Sequence, residues 1–138
     1  MRYDDLVNRC SEHMDNNEYQ QAYELIPSMR NIFYRKQLYS YYALVCWKAK
    51  KYDEMLEFAL IGIKIMSKRT DVELDKYCFF SAGIAYGRLR NIPKALEYLK
   101  IATEMDVENS MFNRAYDEML KINIAYESLI SKLDNFII

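Results

Sequence analysis

The chain has 138 residues, which suits a single domain with enough core to need no covalent staple. Only 3 glycines and 2 prolines occur, too few turn formers for a sheet protein, so helices joined by short polar links are expected. The 19 basic and 20 acidic residues leave a net charge of −1, without the basic excess of a nucleic-acid binder, and no apolar run approaches the roughly 18 residues of a membrane span.

The first helix carries Leu6, Arg9-Cys10 and His13 and ends at the polar link Asp15-Asn16-Asn17. The second carries Ala22, Ile26 and Met29. Pro27 sits inside it, where it removes an N–H and collides with the preceding turn, so this helix should end or kink near Leu25. A new helix is expected from about Asn31 to Lys50, with Tyr39, Tyr42-Ala43 and Cys46 on one face. After the link Lys48-Ala49-Lys50-Lys51, Met55, Leu56, Ala59, Leu60, Ile63 and Met66 form the stripe of an amphipathic helix from Tyr52.

Lys68-Arg69-Thr70-Asp71 is the next link, and Thr70 or Asp71 is a start signal for a helix through Tyr77 and Tyr86. That helix closes at Leu89. Asn91 can cap its successor, with Pro93 in the first turn, where a missing N–H costs little. The last link is Asp106-Val107-Glu108-Asn109. Beyond it Phe112, Ala115, Met119, Ile122, Tyr126, Leu129, Leu133 and Phe136 alternate steps of three and four. That is a heptad seam, and residues 109–138 are expected to cap the preceding helices, to pair two copies as a homodimer, or to meet another partner.

Residues 79–107 carry the clearest internal pattern: Phe79, Ala82-Gly83 and Tyr86, then Ala95, Leu99, Ala102 and Val107. This spacing resembles the tetratricopeptide repeat, with Ala82 in the place of Leu, Leu99 of Phe and Val107 of Pro. Small residues let two antiparallel helices approach, and large ones plug between neighbouring hairpins. The segment from Tyr39 to Gly62 resembles it less closely and the first segment least, since Arg9 stands in an apolar slot. Cys10, Ala43 and Gly83 are 33 and 40 residues apart, against a family period of about 34. The longer interval suggests helices extended around Ile63 to Asp75.

The resemblance covers roughly residues 3–107. It implies an all-α fold: about three antiparallel hairpins over residues 1–108, stacked as a right-handed superhelix, with a C-terminal capping helix. It also implies a groove lined by the first helix of each hairpin. Carried onto this chain, the groove takes Val7, Ser11 and Met14 from the first hairpin. It takes Ser40, Leu44, Trp47 and Lys48 from the second, and Tyr77, Phe80, Ile84 and Arg88 from the third. The carboxylate clamp of one family subset is absent, since its slots hold Val7, Ser11, Tyr41, Tyr77 and Ser81.

Chemistry finds little footing. His13 is the sole histidine, so neither a Ser–His or Cys–His pair nor a metal-binding histidine pair can be built. Cys10, Cys46 and Cys78 are odd in number and widely spaced, and read as buried thiols. Gly83 and Gly87 read as close helix packing. Glu97 and Glu104 lie with Lys94 and Lys100 on solvated faces. The expected function is therefore a non-catalytic adaptor or scaffold that binds a protein or peptide, with no cofactor, metal, nucleic acid or membrane, in the cytoplasm. Two other readings fit the same residues: a peptide-sensing module of a larger bacterial regulator, and a small secretion-type chaperone.

Overall fold

The computed structural model describes residues 2–32, 37–68 and 75–135, and their regular structure is entirely helical. In chain order the elements are α1 (Tyr3–Asp15), α2 (Tyr19–Glu24), α3 (Ile26–Asn31), α4 (Tyr39–Lys48), α5 (Tyr52–Ser67), α6 (Lys76–Arg88), α7 (Ile92–Met105) and α8 (Ser110–Asp134). Successive helices pack on one another: α1 on α2, α4 on α5, α5 on α6, α6 on α7 and α7 on α8.

The links after α1, α4 and α6 share one backbone geometry. Glu18, Lys51 and Asn91 each donate an N–H to the carbonyl five residues back, on His13, Cys46 and Tyr86, at 2.8, 2.7 and 2.8 Å. The residue just before each donor is left-handed: Asn17 at φ 59°, Lys50 at 61° and Arg90 at 66°. This is the Schellman termination, which satisfies carbonyls that a helix end leaves unpaired. The three left-handed residues recur at the 33- and 40-residue intervals of Cys10, Ala43 and Gly83. The repeat seen in the side chains is thus also a repeat of the backbone.

The same register organises the core. Cys10, Ala43 and Gly83 are buried on the first helices. On the second helices the equivalent sets are Ala22, Ile26 and Met29, then Met55, Ala59 and Gly62, then Ala95, Leu99 and Ala102, and all are buried. Arg9 is exposed, although its equivalents Tyr42 and Ala82 are buried. No earlier hairpin covers that side of α1 among the described residues, so water can solvate the guanidinium.

Pro27 produces the expected break. The helix stops at Glu24, Leu25 stays near helical geometry at φ −82° and ψ −16°, and α3 restarts with the proline in its first turn. The expected helix from Asn31 is corrected: α4 begins at Tyr39. Gln37 holds its side-chain amide against the carbonyls of Met29 at 3.4 Å and Ile32 at 3.0 Å, tying the chain down where α3 has ended. The Tyr3 and Tyr42 hydroxyls meet at 2.9 Å, Tyr42 also bonds Gln37, and Leu38 N–H donates to Tyr3 at 3.3 Å. This network joins α1 to the start of α4.

The start of α6 is corrected too. Asp75 caps it, accepting from the Tyr77 N–H at 2.9 Å, while Thr70 and Asp71 lie outside the described residues. Asn91 and Asn109 cap α7 and α8 through the N–H groups of Lys94 and Phe112, at 3.3 and 3.1 Å. α5 has 16 residues against 14 in α7, so part of the long second interval is added helix. Lys76 at the start of α6 reaches Asp106 after α7 at 2.6 Å, and this contact holds the Asp106 carboxyl below the usual carboxylate range.

A left-handed lysine or arginine costs roughly 1–2 kcal/mol, while glycine adds roughly 0.5–1 kcal/mol of chain entropy. Lys50→Gly and Arg90→Gly should therefore each stabilise the fold by up to about 1 kcal/mol in urea unfolding; a loss for both would contradict the strain assignment. A Cβ at Gly83 would lie 2.6 Å from Leu99 Cγ and 3.1 Å from its backbone N. Gly83→Val should destabilise by about 1–3 kcal/mol, and an unchanged midpoint would show that α6 and α7 can separate freely.

Candidate functional site

α4 and α6 lie side by side, and the first half of α8 crosses α6. Where they meet, Trp47, Ile84, Gly87, Arg88, Ile92, Met119 and Ile122 line a cleft of about 360 Å³. Trp47, Ile84 and Arg88 belong to the groove expected from the repeat, and Met119 and Ile122 to the seam of the last helix. The two surfaces that the sequence keeps apart thus share one wall.

Trp47 also bridges the two halves of the core. It packs, partly buried, against both the cluster built on α1 to α5 with Ala82 and Ala85 of α6, and the cluster built on the rest of α6, α7 and α8. Its ring meets Phe80 edge-on at 6.0 Å. Met119 reaches the cleft because residue 87 is glycine: a Cβ there would fall 2.5 Å from the Met119 methyl. Two cations mark the rim. The Arg88 guanidinium lies 5.2 Å from the Tyr52 ring centre and the Lys48 ammonium 5.8 Å from that of Trp47. Among the described residues neither pairs with a carboxylate.

Other expected site residues fall elsewhere. Phe80 is only 3% exposed and is corrected from groove to core. It stacks on Phe112 at 4.7 Å and 18°, because the first turn of α8 lies over it. Tyr77 meets the edge of Phe112 at 5.6 Å and keeps its other side in water. Leu44 is exposed and Ser40 half-buried, outside the cleft. On the seam, Phe112 is fully buried within the chain and so is corrected from interface to core, Met119 is largely buried and shows only at the wall of the cleft, and Ile122, Tyr126, Leu129 and Leu133 are exposed. Phe136 lies outside the described residues. Gly87 and Ile92 were not anticipated as lining. The Gly83-x-x-x-Gly87 pair signalled a close helix approach on that face, whereas nothing marked Ile92.

A larger cleft of about 540 Å³ lies between α2, α3 and α5, lined by Tyr23, Glu24, Pro27, Arg30, Glu54 and Phe58, among others. Two of its polar groups are paired with each other. The Tyr23 hydroxyl donates to Glu54, which pushes the Tyr23 pKa up to about 12, and Arg30 lies 5.1 Å over Phe58.

Little else offers chemistry. His13 Nδ1 sits 3.2 Å from Glu18, and Lys94 pairs with Glu97 at 3.2 Å on an exposed face. No cluster of metal-ligating side chains occurs among the described residues, and no described helix is long and apolar enough to cross a membrane. No protein-family model matches the chain, and no curated protein matches it.

The three thiols are free and buried. Burial pushes Cys46 and Cys78 up to about 12 and raises Cys10 as well. At pH 8 a disulfide-exchange reagent should therefore modify none of them quickly in the folded chain and all of them after unfolding. Fast reaction of the native protein would contradict the burial. The folded-state pKa values are raised, so this contribution to stability is complete below the ordinary thiol value of 9.0 and is lost as pH climbs toward 12. The urea midpoint should accordingly fall above pH 9.

Proposed function

We propose that the chain is a non-catalytic binding module of tetratricopeptide-like hairpins, and that it holds a peptide or protein partner at the Trp47 cleft. The observation that carries this reading is the convergence of Trp47, Ile84, Met119 and Ile122 from three helices on one apolar hollow, with Arg88 at its rim. Concave, mostly apolar hollows with few polar groups are the usual form of a binding site. Tryptophan and arginine are also the residues that most often dominate binding energy. The shared spacing of links and small residues supports the repeat reading, since stacked hairpins leave a continuous face for an extended partner.

In this reading an apolar side chain of the partner enters between Trp47 and Ile122. Arg88 and Lys48 favour an acidic group beside it, because their present partners are aromatic faces worth about 0.5–1 kcal/mol at exposed sites. A carboxylate can displace such contacts at little cost.

The experiment is affinity purification followed by calorimetric titration of the recovered partner. Trp47→Ala and Ile84→Asp should each weaken binding at least about tenfold, which is about 1.4 kcal/mol. Lys100→Ala, on the exposed side of α7, should leave it unchanged. Equal affinity for all three variants would remove the cleft from the binding surface.

A further inference from the structure

Among the described residues nothing packs over the second half of α8. α8 spans 25 residues, but after Met119 no residue of it is buried. Along this stretch Ile122 is 49% exposed, Tyr126 53%, Leu129 57% and Leu133 50%, with Ile130 beside them. These four continue the a and d positions that Phe112, Ala115 and Met119 occupy against the body. The charged residues of the stretch, Lys121, Glu127, Lys132 and Asp134, all fall outside the a, d and e positions. The stripe is therefore apolar along its length.

We propose that this stripe pairs antiparallel with the same stripe of a second copy, making the protein a two-fold dimer through α8. The stripe is self-complementary in that direction. Ile122 meets the partner's Leu133 and Tyr126 meets the partner's Leu129, and the two-fold axis repeats both layers. On the flanks Asn123 faces the partner's Ile130, and Ala125 faces the stem of the partner's Lys132, so no like charges are opposed. The five apolar side chains leave on the order of 500 Å² per chain in water, so pairing removes on the order of 1,000 Å², about the lower bound for a specific interface.

The direction follows from the position of the body. Residues 112–119 turn the same face of α8 onto α6 and α7 that residues 122–133 turn to solvent. A parallel partner helix would have to pass through the space that the body fills. An antiparallel partner lays only its last described turn of α8 there, and its own body sits at the far end of the pair. The partner's Leu133 then lands on Ile122, at the outer wall of the Trp47 cleft.

Light scattering of the full chain at micromolar concentration should give twice the 16.5 kDa chain mass. Leu129→Glu and Tyr126→Lys should each lose the dimer while leaving a folded helical chain, because both positions are exposed in the single chain, with the melting temperature lowered only by the part that pairing contributes. The buried native thiols allow one introduced cysteine to be spin-labelled selectively. Labels at Ser128, beside the two-fold axis, should lie roughly 10 Å closer together than labels at Lys121, from the rise along each helix and the spacing of the pair. A monomer at all concentrations, a dimer that survives both substitutions, or equal distances for the two labels would each overturn the proposal.

Discussion

A methyl group on residue 83 would stand 2.6 Å from Leu99 Cγ, so α6 and α7 come as close as they do only because that residue is glycine. Cys10 and Ala43, small and fully buried, hold the equivalent position in the earlier hairpins. Close approach at this point brings Ala22, Met55 and Ala95 of the second helices into the core. The Schellman link seven residues later turns the chain so that the approach can occur at all. Everything downstream rests on this spacing, including the placement of α4 beside α6 and therefore of Trp47 beside Ile84.

The last helix does two separate things with one stripe. Its first half places Phe112 flat on Phe80 and Met119 against Gly87, removing the apolar side of α6 and α7 from water. Burying a residue such as phenylalanine is worth roughly 1.5–3 kcal/mol, so this half is fixed as firmly as the hairpins. Its second half keeps the stripe, and among the described residues nothing covers it. The cleft lies at the boundary between the two halves, where Ile122 is the first seam residue to leave the core.

The helix order, the break at Leu25 and the cap at Asn91 were legible because each depends on a residue and its near neighbours. Pro27 cannot continue a helix anywhere, and an asparagine before a turn of free N–H groups caps it in most settings. Phe80 was misplaced for a tertiary reason. The groove face of α6 is defined within one hairpin, and only the arrival of Phe112 turns part of that face into core. The start of α4 was missed because it depends on Gln37 bonding carbonyls of the previous helix. Asp75 was passed over because Thr70 and Asp71 carry the same capping signal, and a single sequence does not rank them. The cleft itself joins residues as distant as Trp47 and Ile122, so neither its shape nor the part played by Ile92 could be read from local pattern.

On the proposed reading a partner is held where Trp47, Ile84 and Ile122 meet. The most direct test is a nuclear magnetic resonance titration of the labelled chain with its purified partner. The largest shifts are predicted at the Trp47 indole N–H and at the methyl groups of Ile84, Ile92, Met119 and Ile122. Shifts confined to the hollow around Pro27 and Arg30, with the Trp47 signal unmoved, would contradict the account.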